Sequence, residues 1–175
     1  MIITSKNNPK IKKFRSFKDR ITSKQKDYFC IEGTHLLEEL LKAKILPHEV
    51  IATEDWMARH QKLVDLIDHS LISIVSKEAL ISSVTTKSPD GVAALVKTAS
   101  ILQFDYHKND DFILILDRVQ DPGNLGNLFR TALAAGVDSI FLAGGANPLS
   151  QKVLRASSGA VFHLPFLRFE GSEAE

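Results

Sequence analysis

Apolar and polar residues alternate along this chain in blocks that predict an order of strands and helices. Residues 112–116 are five consecutive apolar residues set between Asp111 and Asp117, the mark of a buried strand. Counted from Leu125, the residues Leu125, Leu128, Phe129, Ala132 and Gly136 fall on one face of a helix and should pack on a sheet. Arg130 lies well off that stripe and points out toward a ligand. Residues 139–143 predict a second strand. A strand, a helix and a strand at this spacing form a βαβ unit, whose crossover is almost always right-handed. Ligands of such sheets sit beyond the carboxyl ends of the strands. The polar loop from Asp117 to Asn124, with Pro122 and Gly123, is therefore a site candidate by position alone.

The first hundred residues alternate in the same way. Residues 28–31 predict a short strand, Gly33 ends it, and Thr34 is placed to cap the next helix. Leu36, Leu37, Leu40 and Leu41 give that helix its apolar stripe. Residues 49–53 predict a strand, 55–68 a helix, 71–75 a strand and 77–81 a short helix. Ser88-Pro89-Asp90-Gly91 is a turn signal before a strand over 92–96. This order implies an α/β sandwich. Residues 98–111, polar in patches and including His107-Lys108-Asn109-Asp110-Asp111, read as a linker. The boundary is placed near residue 105, giving domains 1–105 and 106–175.

Composition narrows the class. With 175 residues, 44% hydrophobic and 25% charged, the chain reads as one or two ordinary globular domains. No apolar run reaches the roughly 18 residues of a membrane span, so no membrane partner is expected. The basic N-terminus has no apolar core behind it and is not read as a secretory signal. Cys30 is the only cysteine, which excludes an intramolecular disulfide and a cysteine-based zinc site and fits a reducing cytoplasm. The net charge of +1 conceals a split: residues 1–26 carry Lys6, Lys10, Lys12, Lys13, Arg15, Lys18, Arg20, Lys24 and Lys26 against Asp19 alone, and the remainder is acidic. A basic arm on an acidic body suits a polyanion partner, though a solvated helix face has the same composition.

Two sets of fixed spacings carry a resemblance. Asp121-Pro122-Gly123-Asn124-Leu125-Gly126, then Arg130-Thr131-Ala132 and Gly136-Val137-Asp138, resemble the first motif of the SpoU class of SPOUT RNA methyltransferases. Lys152-Val153-Leu154-Arg155-Ala156-Ser157-Ser158-Gly159-Ala160, ending at Leu164-Pro165, resembles the next signature of that family. Tyr28-Phe29-Cys30-Ile31-Glu32-Gly33 with His35, and Pro89-Asp90-Gly91-Val92, are similar to its substrate-binding domain, which is itself similar to a ribosomal-protein fold that binds RNA. The resemblance implies an α/β protein: a ribosomal-protein-like sandwich over 1–105, followed by an incomplete SPOUT domain, Rossmann-like and of the trefoil-knot type, over 106–175. It implies transfer of a methyl group from S-adenosylmethionine to a ribose 2′-hydroxyl of RNA, most often ribosomal, in the cytoplasm, with a homodimer for the intact protein.

The same resemblance assigns roles. It places Asn124 and Arg130 in the active site. Asn124 also stands at a helix start, where Asn is a favoured cap, so capping is the competing reading of that residue. An arginine is a poor base, so Arg130 is expected to orient the ribose and stabilise its developing charge. Lys10, Lys12, Lys13 and Arg15 of the basic arm, with Lys152, Arg155, Ser157 and Ser158, are the candidate RNA contacts. Glu32 is read as a helix-start charge, His35 as a polar helix residue, Asp117 and Asp121 as loop caps, and Gly144-Gly145 as a tight turn. No metal-ligand spacing occurs, and no metal is expected.

Family members continue with an Asn-Glu-Gly loop, an Ile-Pro loop and a last helix that form the knot and most of the cofactor pocket. This chain has no Asn-Glu-Gly and ends in an acidic tail. The cofactor residues are therefore expected beyond residue 175, and the chain alone is expected to be inactive. The alternative is a non-catalytic RNA-binding protein that keeps the fold. A nucleotide-binding enzyme of another class is disfavoured, because no glycine-rich fingerprint follows the strand at 112–116.

Overall fold

The computed structural model describes residues 2–17, 27–101 and 111–169. Lys18, Asp19, Arg20, Lys24 and Lys26 of the basic segment, most of the 98–111 linker and the acidic tail lie outside the described residues. The chain divides into two compact units, Met1–Thr98 and Ala99–Glu175. The division follows directly on the last strand of the first unit, whose pairing still holds at its final residue: Tyr28 faces Lys97, and the Thr98 N–H donates to Asp27 O at 2.8 Å.

The first unit is built on strands β1 (Tyr28–Glu32), β2 (Glu49–Ala52), β3 (Ile72–Ile74) and β4 (Val92–Lys97). They lie in the order β1-β4-β2-β3. β4 runs antiparallel to both neighbours, and β2 and β3 are parallel. One face meets α1 (Pro9–Arg15) and α5 (Lys77–Ser83) through a cluster that joins Ile11 and Phe14 to Cys30, Ile51, Leu80 and Leu95. The other face meets α2 (Thr34–Lys42), which buries Leu36, Leu37 and Leu40.

Three local expectations change here. The basic arm contains a packed helix: Asn8 caps α1, Pro9 opens it, and Ile11 and Phe14 are fully buried among its lysines. Two apolar residues in a run of cations are a thin signal, since long cationic stems cover apolar surface as well. The helix expected over 55–68 is two short ones, α3 (Glu54–Arg59) and α4 (Gln61–Val64). The chain leaves helical geometry at His60, whose ring stacks on Trp56 at 4.9 Å. Finally, Thr34 does not cap α2. Gly33 holds the cap position, and Asp90 accepts from the Thr34 N–H at 2.8 Å and its hydroxyl at 2.7 Å. The Thr34 hydroxyl in turn accepts from the indole N–H of fully buried Trp56 at 2.8 Å.

The second unit is a parallel sheet, β5 (Ile113–Asp117), β6 (Ser139–Ala143) and β7 (Phe166–Phe169), in chain order. Its helices are α6 (Pro122–Ala134) and α7 (Gln151–Ala156). The two helices pack against each other, and right-handed crossovers in one direction, the general rule for such sheets, put both on one face. The row Leu114, Ile140, Phe166 lies on that face, and Phe166 meets the ring of Phe129 edge-on at 5.5 Å. The opposite row, Ile115, Phe141 and Leu167, is the wetter one, and Ile115 is 68% exposed.

Candidate functional site: the loops beyond β5 and β6

The carboxyl ends of β5 and β6 are tied together through their loops. The Arg118 N–H donates to Ala143 O, and the Ala146 N–H donates to Val119 O, each at 2.9 Å. A Cβ at Gly145 would stand 2.6 Å from Val119 O, so only glycine permits this approach. Arg118 sits in the left-handed region with φ 46°, a conformation that costs a non-glycine residue roughly 1–2 kcal/mol. Its guanidinium donates twice to its neighbour Asp117, at 2.8 and 3.0 Å. That arginine holds the Asp117 carboxyl below the usual carboxylate range, while Asp117 raises the pKa of Arg118.

Asp121, not Asn124, caps α6. Its carboxylate accepts from the Asn124 N–H at 2.8 Å, and Pro122 fills the first helical position, where no N–H is needed. That hydrogen bond holds Asp121 below the usual carboxylate range, with Lys152, 3.5 Å away, adding to the effect. Asn124 lies inside the first turn with its side chain exposed. Asn124, Asn127 and Arg130 recur every three residues and form one exposed polar row. None of the three side chains makes a hydrogen bond or ion pair among the described residues. Asn127 went unnoticed in the sequence, although its spacing from Asn124 and Arg130 was there to be read. The helix stops with Gly136 N–H to Leu133 O and Val137 N–H to Ala132 O, a Schellman arrangement. Gly136 is thus a helix stop on the surface and not part of the packing stripe.

The small residue that matters for packing is Gly126. A Cβ there would stand 2.5 Å from Ala156 Cβ and 2.8 Å from both Ser157 N and Val153 O, so α6 and α7 cross with their backbones almost in contact. Gly126→Val is expected to destabilise this unit by about 3 kcal/mol, because backbone cannot yield as a side chain does. Thermal unfolding of the purified variant checks it, and an unchanged melting temperature would contradict the tight crossing.

The candidate RNA residues fall in both units. Lys152 and Arg155 are exposed on α7. Ser157 is fully buried and its hydroxyl donates to Leu154 O at 3.1 Å, which removes it from the contact surface. Ser158 (φ 49°) and Gly159 (φ 80°) end the helix. In the first unit, Lys10 donates to Ser73 Oγ at 2.7 Å, Lys13 pairs with Glu49, and Arg15 donates to Ser82 O at 3.0 Å. These three cations fasten α1 to its own sandwich. Lys12 makes no such bond among the described residues.

Glu32 is a clamp inside the first unit. It is 8% exposed, and its two oxygens accept from the N–H and hydroxyl of both Thr85 and Thr86 at 2.7 to 3.1 Å. His35 is exposed. A groove of about 760 Å³, lined by Leu41, Arg59, His60, Leu63 and Leu66 among others, holds none of the sequence-derived candidates. Among the described residues no group of acids, histidines or cysteines is placed to hold a metal, and no helix is long and apolar enough to cross a membrane.

Comparison with known proteins places both units. Residues 111–174 match the SpoU rRNA Methylase family, and residues 8–94 match the MRM3-like substrate binding domain. The chain is 40% identical over 169 residues to an uncharacterized tRNA/rRNA methyltransferase of Synechocystis, covering 93% of this chain and 60% of that protein. It is 32% identical over 167 residues to the 23S rRNA (guanosine(2553)-2′-O)-methyltransferase RlmP of Bacillus subtilis, covering 95% and 64%. A crystal structure of an RNA 2′-O ribose methyltransferase superposes with a TM-score of 0.78 at 30% identity, over 99% of this chain and 67% of that one. An AdoMet-bound rRNA methyltransferase from Sinorhizobium meliloti gives 0.79 at 25% identity, over 96% and 64%. The chain thus spans between 60% and 64% of the length of these two curated relatives.

Proposed function

Since this chain belongs to the SpoU rRNA methylase family, we propose that it is the RNA-binding and Arg130-bearing part of an RNA 2′-O-ribose methyltransferase acting on ribosomal RNA. The observation that carries this reading is the exposed row Asn124, Asn127, Arg130, which starts in the first turn of α6, just after the loop beyond β5, and runs along that helix inside the family-matched region. A ribose hydroxyl must lose its proton as it is methylated, and negative charge builds on that oxygen. Arg130 keeps its charge throughout, and its planar fork holds the ribose oxygen or an adjacent phosphate. Asn124 offers one acceptor and two donors to fix the same ribose.

The methyl donor in this reading is S-adenosylmethionine, by likeness to the AdoMet-bound relative. The turn at Gly144-Gly145 that a nucleotide would approach is packed on Val119, so the described residues do not cradle an adenosyl group there. A homodimer in the cytoplasm is part of the same proposal, supported by the resemblance of the motifs and, for the compartment, by bacterial relatives and one buried free thiol.

The test uses the intact enzyme of which this chain is proposed to be a part, with unmodified large-subunit ribosomal RNA and methyl-labelled S-adenosylmethionine. A 2′-O-methyl group blocks alkaline cleavage at its own nucleotide. Label in alkali-resistant dinucleotides is the expected result, and label in mononucleotides would mean base methylation instead. RNA binding without any transfer would favour the non-catalytic alternative.

A further inference from the structure

We propose that Arg118 is a phosphate-gripping residue of the RNA site, held in reserve by Asp117 and exchanged onto an RNA phosphate when substrate docks. The proposal rests on the RNA role argued above. Three non-glycine residues among those described adopt positive φ: Lys44, Arg118 and Ser158. Lys44 and Ser158 each follow a helix, where left-handed geometry is the ordinary way to stop. Arg118 follows a strand instead, at the mouth of the site. Strain of that kind, imposed by the surrounding structure, gathers where a side chain has to be aimed.

What imposes it is visible. The Arg118 N–H is fixed to Ala143 O, and the next residue is pinned by Ala146 and Gly145. The aliphatic stem passes over Gly144, whose added Cβ would meet Arg118 Cγ at 3.7 Å. The backbone is therefore locked while the head is free: the Arg118 side chain is 75% exposed and its partner Asp117 63%. An exposed pair between sequence neighbours contributes little to stability, so it does not account for keeping a charged, non-glycine residue in this conformation. A guanidinium that forks onto a carboxylate also fits a phosphate. The exchange then costs one weak pair and returns Asp117 to water.

The test measures how the affinity of this chain for a fluorescein-labelled, unmodified hairpin RNA depends on salt. Arg118→Gly suits the backbone at φ 46° and is expected to keep the melting temperature. It should weaken binding several-fold at low salt and reduce the slope of log affinity against log salt by about 0.7–0.9, the share of one phosphate contact. Asp117→Asn releases Arg118 and should tighten binding without a loss of slope. Wild-type slope and affinity in Arg118→Gly would overturn the proposal while leaving the RNA reading in place. No salt-sensitive binding by the wild-type chain would sink the RNA reading, and this proposal with it.

Discussion

Arg130→Ala in the intact enzyme is expected to lower methyl transfer by about 10²–10³-fold, the usual effect of removing one group that stabilises developing charge, with no loss of thermal stability. Both halves come from geometry. Arg130 is exposed on the outer face of α6 and makes no hydrogen bond or ion pair among the described residues, so nothing in the fold depends on it. Alanine is at least as good a helix former as arginine. A residue kept for structure would behave in the opposite way, with a lower melting temperature and little change in rate. Arg130→Lys separates charge from shape. Lysine keeps the charge but loses the fork, so most of the activity should stay lost if bidentate contact is what matters. The rate per bound RNA is the quantity to follow. A variant that transfers at the wild-type rate once saturated would place Arg130 in RNA capture alone.

The second large effect is on stability. Glu32→Ala is expected to destabilise the first unit by about 3 kcal/mol, because four donors on Thr85 and Thr86 lose their acceptor in a nearly dry place. At about 4–8 °C per kcal/mol for a unit of this size, the melting temperature falls by more than ten degrees. Glu32→Gln keeps the shape and one carbonyl oxygen, but it turns an NH₂ toward donors that need an acceptor, so it should recover only part of the loss. Thr85→Ala and Thr86→Ala each remove a hydroxyl, leave the backbone bonds in place and should cost less than Glu32→Ala. A melting temperature in Glu32→Ala within two degrees of wild type would show that water replaces the carboxylate freely.

Residue patterns and tertiary contacts decided different parts of this protein. The apolar run at 112–116, the stripe through Leu125 and Phe129, and the strand at 139–143 are local periodicities, and the structure has β5, α6 and β6 there within a residue or so at the strands. The Asn124 and Arg130 spacing was legible for the same reason, since a helix turns a spacing into a face. The basic run over the first residues was legible as charge but misleading as an arm. Lys10, Lys13 and Arg15 find Ser73, Glu49 and Ser82 only after the sandwich has closed. Asp90 caps a helix that begins at Thr34, and Glu32 holds Thr85 and Thr86, across gaps of more than fifty residues. The packing role of Gly126 exists only because α7 lies against it, and Arg118 is set apart only by its φ. Element identity comes from repeats within a few residues. Caps, clamps and strain come from pairs that meet only when the chain is folded, and hydrogen-bond donors carry no mark in the sequence of which distant acceptor they will find.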